Sequence, residues 1–521
     1  MLVDLLLDPD AFADPDRLRK AAARKAKRSP AEIVEVVVRR RSIDARGGRV
    51  KIQAQVEVLT RPGKPAAPPR AWELPMLRGE PAIVIIGAGP AGLFCALALA
   101  RAGLRSVILE RGQAVSQRRR DVADLSARGI LHEHSNYCFG EGGAGTFSDG
   151  KLYTRAHKRG PVDEILRVLV AHGAPPDLLV DARPHIGTNR LPKVVTSLRE
   201  QLEHAGVVIR FGVRATGLRV RDGAVIGVRL ADGEQLDARF VCLATGHSAR
   251  DVVRFVRDAG ALVSFKPFAL GVRVEHPQAL IDTMQYGRWA GYETLGAASY
   301  RLVQRVGDRS VFSFCMCPGG HIVPAATEHG GQVVNGWSPA SRRGRFANSG
   351  FVTEVGATQL VSVGLDPRDP LAGIEFQRRF EKAAYIEGGG DFVAPAQGLL
   401  DFVDGRLSAS LPECSYPRGV RSARLDQLLG PLTEPIRIAL QQLRESMPAF
   451  LTREAVAVGV ESRTSAPYRI ERDPVTLESP SLPGVYPCGE GAGFAGGIMS
   501  AALDGVRIAE AIAHAQAVRS T

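Results

Sequence analysis

The sequence predicts an α/β protein whose main body is a Rossmann-type nucleotide-binding domain. That domain is split along the chain by an inserted α+β substrate or cap domain and preceded by a small ferredoxin-like α+β layer. Three observations predict this. Pro81–Ile86 is a continuous apolar run leading directly into Gly87-Ala-Gly-Pro-Ala-Gly92 and then into a helical stretch. Strand-like segments ending in glycine recur far downstream, at 237–246 and 484–490. Residues 50–58 alternate apolar and polar, the period of a half-buried strand, in a region set apart by its charge.

At 521 residues the chain exceeds the roughly 250–300 at which a single core stops growing, so two or three domains are expected. With 45% hydrophobic and 23% charged residues, wholesale disorder, a collagen-like fibre and a multi-span membrane protein are excluded. The 67 Lys and Arg against 55 Asp and Glu give +12, which favours anionic partners: nucleotides, nucleic acid or a membrane surface. Seven scattered cysteines do not make a disulfide framework, and a reducing, cytoplasmic location is expected. Met1–Asp10 carries three aspartates and no basic n-region, unlike a secretory signal. Residues 82–100 hold 19 positions without a charge, about the length of a membrane span. The glycines at 87, 89 and 92 argue for a turn there instead, so no span is expected.

In the first domain, 1–59, a helix over Asp16–Lys27 precedes the β-branched run Ile33–Val38, a Gly47-Gly48 turn and the alternating strand Val50–Val58. This fits a β-α-β-β layer. Asp16–Lys51 holds 13 Lys/Arg against four Asp/Glu, which is open to two readings: a nucleic-acid face or a solvated basic face. Residues 60–78, with five prolines between Thr60 and Pro75, read as a semi-rigid linker.

The strand, glycine turn and helix at 81–102 form a dinucleotide-binding unit. Gly87 permits the tight turn, Gly89 lets backbone approach a pyrophosphate, and Gly92 lets the helix pack close to its strand. Pro90 and Ala91 begin that helix, whose amino terminus receives phosphate charge. The second strand, Ser106–Leu109, ends at Glu110, a carboxylate roughly 20 residues past the turn, where a ribose hydroxyl donates. A meander over 207–230 follows, with turns at Asp222-Gly223 and Asp232-Gly233.

Two later segments resemble signatures of the glutathione-reductase-like flavoproteins: the strand ending Ala244-Thr245-Gly246, and Gly484-Val-Tyr-Pro-Cys-Gly489-Glu490. The latter resembles the strand that delivers an acid to the ribityl chain of FAD, with Glu490 where that superfamily usually has Asp. Gly491–Met499 then opens a helix whose amino terminus stabilises a reduced flavin. Further segments resemble a widespread bacterial family of FAD-dependent dehydrogenases: 139–152, Lys266-Pro-Phe268, Gly271–His276, Cys315-Met-Cys-Pro-Gly-Gly320, Glu461–Ser465 and Arg40–Arg46. The match spans most of 29–512. The resemblance implies bound FAD and a split flavin domain, without a substrate. Besides the residues above, cofactor contacts are expected from Arg111, Gly143, Gly145, Val213, Gly496, Gly497 and Ile498, while Arg118, following the Glu110-Arg111-Gly112 turn, is open to two readings: a phosphate contact of the cofactor or a solvated helix end.

The loop 140–150 holds five glycines and is expected to pass close to the cofactor. Among catalytic candidates, His321 and His276 are examined as proton donors, with a structural histidine the competing reading for each. Lys266, Arg273 and Arg463 are cations suited to an acidic substrate or the flavin. Cys315-Met-Cys317 has neither CxxC nor zinc spacing; it is read as a strand with its sulfurs buried or lining a pocket, against a reactive thiol. No metal site is expected.

Together these readings give a flavin domain from 79–158, 182–248 and 482–513, with a cap at 251–480. The expected function is an FAD-dependent oxidoreductase passing hydride between flavin N5 and a small organic substrate. No second dinucleotide turn is present, so either NAD(P)H binds transiently as electron donor or the substrate reduces FAD directly. Two other functions stay open: a flavoprotein acting on RNA through its basic first domain, and an assembly or sensing protein in which FAD is structural.

Overall fold

The computed structural model describes residues 1–46, 49–62, 69–154 and 160–520. At the amino end, β1 (Leu2–Leu7), α1 (Pro15–Ala26), β2 (Glu35–Asp44) and β3 (Lys51–Leu59) form an antiparallel sheet in the order β1-β3-β2 with a helical face. Because β3 lies between the two strands that α1 connects, this is half of a ferredoxin-like split β-α-β unit. Asp14 caps α1 by accepting from the amides of Asp16 and Arg17. Ala22 and Ala23 let the helix settle closely on Val3, Ala54 and Val56. The expected Gly47-Gly48 turn lies outside the described residues. Much of the basic stretch is paired: Arg17 with Asp10, Arg28 with Glu32, Arg39 with Glu57 and Lys51 with Asp8. Arg41 binds Asp181 through its guanidinium and pairs through its backbone with Val180 and Ala182, so the small domain is fastened to the main body.

The main body begins with β4 (Ile83–Ile86), α2 (Pro90–Arg101), β5 (Ser106–Glu110), α3 (Val115–Arg128), α4 (Val162–Ala171), α5 (Leu191–His204) and β6 (Val208–Phe211). A meander of β7 (Ala215–Arg221), β8 (Ala224–Leu230) and β9 (Gln235–Asp237) leads to β10 (Phe240–Leu243), α6 (Arg250–Asp258) and β11 (Val263–Phe265). The cap follows, with β12 (Phe268–Pro277), β13 (Val303–Val306), β14 (Arg309–Pro324), β15 (Val334–Trp337) and β16 (Phe346–Val355). It is completed by α7 (Ala372–Glu387), β17 (Ala394–Gly398), β18 (Val420–Ser422), α8 (Thr433–Ser446) and β19 (Val456–Glu461). The chain then returns through β20 (Tyr468–Ile470), β21 (Val485–Pro487) and α9 (Ile498–Ser520).

Strand β21 completes a parallel sheet in the order β21-β10-β4-β5-β6. Its central strands are buried throughout, the condition of a parallel sheet covered on both faces. The uncharged run at 82–100 is thus β4, its turn and most of α2. No helix among the described residues is long and apolar enough to cross a membrane. The cap is built on an eight-stranded sheet, β13-β14-β16-β12-β19-β17-β18 with β15 paired to β14.

Domain boundaries differ from the sequence expectation in three places. Helix α6 and strands β11 and β20 were expected in the cap, but Val252, Val253, Val256, Tyr468 and Ile470 share a core with Val84, Leu109 and Val241 of the nucleotide-binding sheet. The apolar face of α6 needs the sheet surface beside it, so the cap sheet starts only at Phe268. Helix α4, left between segments, packs into the core around α2. The linker is also shorter than composition suggests. Trp72 packs edge-on against Phe94 at 6.5 Å, and Leu77 is buried, its amide bonded to the carbonyl of Ala205. Across the boundary, Glu381 of α7 is buried between Arg250 and Arg463.

Helices α2 and α9 cross at Gly505, where a Cβ would lie 2.1 Å from the carbonyl oxygen of Ala91. Glycine inside a helix is disfavoured, so close approach is what this position requires. Gly505→Val is expected to cost about 1–3 kcal/mol, read as a lower urea midpoint, and to reduce the flavin retained on purification.

Candidate cofactor and active site

The site grows from the β4–α2 turn. Gly87 has φ +109°, and a Cβ there would lie 2.4 Å from the carbonyl oxygen of Ala244 on the neighbouring strand. At Gly92 a Cβ would meet the Gly87 carbonyl oxygen at 2.0 Å. These two glycines are therefore steric necessities of the turn. Helix α2 opens on Gly89 with no side-chain cap, and Gly89, Pro90 and Ala91 line a cleft. An uncapped helix amino terminus with its positive dipole end is an anion site.

Glu110 binds backbone in this structure. One carboxylate oxygen accepts from the amide of Ala88 at 2.8 Å, the other from Gly112 and Gly140, both at 2.9 Å. It staples the turn to the glycine-rich loop while still lining the cleft. That loop is held from behind by Arg118, fully buried, which donates to the carbonyls of Asn136, Tyr137, Glu141 and Gly143 at 2.7–3.0 Å. Arg111 lines the cleft, stacked on Phe139 at 4.6 Å and paired with Asp251 at 2.7 Å.

Gly143 and Gly145 form the near wall; Val213, Thr245 and Gly246 another; Glu490, Gly497 and Ile498 a third. Gly489 and Gly496 lie behind this lining: the Gly489 amide donates to Asp504 at 2.8 Å and the Gly496 amide to the Ser500 hydroxyl at 3.0 Å. Burial pushes Glu490 up to about 7, with Lys266 acting in the opposite direction. The cleft runs from the β4–α2 turn past Glu110 to the start of α9 and the cap residue Cys315, an extended path along its lining. Steric glycines at the turn, two helix ends at the walls and a carboxylate at the end of β5 fit a dinucleotide.

Three family models match the chain: a C-terminal-domain-like model of FAD-dependent proteins over residues 267–464, a domain of unknown function over 2–59, and a pyridine nucleotide-disulphide oxidoreductase model over 84–120. A Clostridium beijerinckii protein described as uncharacterized is 39% identical over 434 residues, covering 82% of this chain and 80% of its own length. The chain belongs to this family of FAD-dependent proteins. Protein FixC of Escherichia coli is 30% identical over 208 residues, 38% of this chain and 44% of that protein. A solved structure, the flavin-dependent brominase Bmp2, aligns over 84% of this chain and 79% of its own at 14% identity and a TM-score of 0.36. The protein is thus a member of an FAD-dependent oxidoreductase family, and FAD is its cofactor. The first boundary of the 267–464 model falls one residue from the start of the cap sheet.

The catalytic candidates from the sequence do not line the cleft. His276 is buried beneath the cap sheet, its Nε2 2.8 Å from the Phe450 carbonyl oxygen, and burial lowers it to about 4. His321 packs on Trp337 at 5.2 Å. Arg463 is buried on Glu381, and Arg273 on Glu461 at 2.7 Å. Lys266 is half-buried near Glu490 and lowered by desolvation. In their place the cleft is lined by His247, Cys138, Asp149, Lys151 and Cys315. Lys151 Nζ lies 2.9 Å from Asp149, which Arg342 also binds at 2.8 Å. Burial opposes the charge of Lys151, but Asp149 holds its ammonium above the ordinary lysine range. Burial, reinforced by Arg463 and Arg250, lowers His247 to about 4, so it is neutral near pH 7. Asp149 and Lys151 fall in the glycine-rich loop marked by sequence; His247 directly follows Thr245-Gly246.

Arg118→Leu orphans four carbonyls and is expected to cost about 3–5 kcal/mol, with loss of retained flavin in the visible spectrum. Arg118→Lys recovers little, because one ammonium cannot reproduce the fork. A raised Glu490 means the folded state binds its proton more tightly than the unfolded chain. This carboxyl therefore loses stability for the fold as pH rises from about 4.5 to 7. Glu490→Gln in flavin-stripped protein is expected to match wild type near pH 4.5 and to exceed it by about 1–3 kcal/mol at pH 8 in urea melts.

Proposed function

We propose that the protein transfers a hydride between FAD and a small polar organic substrate held where the cap meets the nucleotide-binding domain. The observation that carries this reading is a shared cleft: Cys315 from cap strand β14 lines the same space as Gly89, Glu110 and Thr245. When bound, FAD supplies the two-electron chemistry; the chain supplies binding, orientation and charge. Lys151, fixed by Asp149, offers a permanent cation to a carboxylate or a carbonyl oxygen of the substrate. Asp149 Oδ1 is buried with no hydrogen-bond partner among the described residues, an acceptor suited to a substrate O–H or N–H. His247, neutral at physiological pH, offers one ring N–H as donor and one bare ring nitrogen as acceptor for orienting a substrate. The apolar walls from Ile86, Leu109, Phe139 and Ile498 exclude water and strengthen these interactions.

The test is anaerobic mixing of the purified flavoprotein with NADH, NADPH and a panel of small hydroxy and amino acids, following flavin absorbance. Bleaching by at least one donor is expected. Lys151→Met is expected to raise the KM for that donor tenfold or more while flavin content stays unchanged. A flavin that no donor reduces sinks the reading.

A further inference from the structure

Strand β14 breaks its pairing with β16 twice, between Phe314 and Cys317 and between Cys317 and Gly320. Within the first irregularity Cys315 takes φ +45°, the left-handed region that few non-glycine residues adopt. Bulges of this kind re-aim side chains beside active sites. Here the bulge is pinned from beneath by Arg273, which donates to the Cys315 carbonyl at 3.3 Å while locked on Glu461. One ammonium touches both sulfurs: Lys151 Nζ is 3.7 Å from Cys315 Sγ and 3.5 Å from Cys317 Sγ. Cys315 lines the cleft, and Cys317 is fully buried behind it.

We propose that Cys315 and Cys317 are a redox-active pair that exchanges two electrons with FAD, alternating between a dithiol held by Lys151 and an intramolecular disulfide. This rests on the FAD-oxidoreductase reading above and adds a second electron store to it. In the reduced form Cys315 is the more acidic of the two sulfurs, and we assign it as the thiolate and Cys317 as the thiol. A hydrogen bond from Cys317, with Lys151 and Arg273 nearby, holds the Cys315 thiol well below its ordinary range despite burial, and Cys317 is correspondingly raised. On oxidation the Cys317 S–H bond breaks and one S–S bond forms. The electron pair and that proton pass to oxidised FAD, giving the anionic reduced flavin, so charge and protons balance with no further reactant. The reverse step reduces the disulfide.

The reach is available. Residues two apart have Cα atoms at most about 7 Å apart, a disulfide needs roughly 4.4–6.8 Å, and the shared contact with Lys151 Nζ shows that both sulfurs point to one place. The other reading, two inert core cysteines, fits Cys242 and Cys488, which touch each other and are buried in the apolar core behind the sheet. Cys315 and Cys317 differ from them in holding a cation and in reaching the cleft. A metal site does not compete, since among the described residues no group of three or more His, Cys, Asp or Glu is placed to hold one.

The test counts electrons and thiols on the holoprotein. Anaerobic dithionite titration of air-oxidised wild type is expected to consume twice the reductant per flavin that Cys315→Ser and Cys317→Ser each consume. After oxidation, the peptide carrying both cysteines should resist iodoacetamide and regain two alkylation sites on reduction. In reduced protein Cys315 should alkylate faster than Cys317 near pH 7, and Lys151→Met should slow it about tenfold. Wild type that takes only one flavin's worth of electrons, with both cysteines freely alkylated after oxidation, overturns the pair and leaves the oxidoreductase reading intact. The alkylation pattern decides the pair even if no organic donor bleaches the flavin, the result that instead sinks the reading beneath it.

Discussion

Glu381 lies buried between Arg250, at the start of α6 on the nucleotide-binding side, and Arg463, just past the end of β19 in the cap. Burial works against its charge, yet the two guanidiniums hold it down to about 2. Arg250 also reaches Gln377, and Arg463 reaches Thr327, so the carboxylate bridges two cations that each carry further contacts. Such buried ionic groups add little net stability, but removing one partner is costly. Their effect is to fix a distance: α7 cannot slide against α6 without stranding a charge. Everything the cap contributes to the cleft, including the position of β14, depends on that fixed separation.

Within the nucleotide-binding domain the same logic operates with uncharged groups. Where Gly87, Gly92 and Gly505 bring backbones together, the space a side chain would need is already filled by carbonyl groups. Glu110 and Arg118 then satisfy the amides and carbonyls that the glycine-rich loop leaves unpaired. A loop with little secondary structure of its own is thereby held in a single shape by two side chains from regular elements, as backbone accounting demands of a buried segment.

What the sequence made legible follows from how local each constraint is. The turn at 87–92 and the acid at 110 belong to one contiguous β-α-β unit, where strand burial, steric glycines and helix dipole act within thirty residues. The alternation at 50–58 likewise marks a strand by itself. Cys315 and Lys151 come together only because β14 folds over a loop more than 160 residues earlier, and no periodicity records that. His276 and His321 were singled out by residue type, but a histidine's chemistry depends on what faces it, and here Phe450 and Trp337 do. Arg463 gave no sign in sequence that Glu381 neutralises it. Composition also misplaced the edge of the cap, because whether α6 leans on one sheet or another is a question of packing.

The nucleotide-binding sheet has its central strand at residues 83–86 and one edge strand at 485–487, roughly 400 residues later. A ribosome adding 5–20 residues per second needs on the order of 20–80 s to span that interval. Throughout it β10 lacks its outer neighbour, and α2 lacks the helix that covers it. The cap can complete its own sheet while the domain that binds the cofactor is still open. Cofactor capture therefore waits on β21 and α9, and until they emerge the newborn protein must keep an apolar helix and a bare strand edge out of trouble.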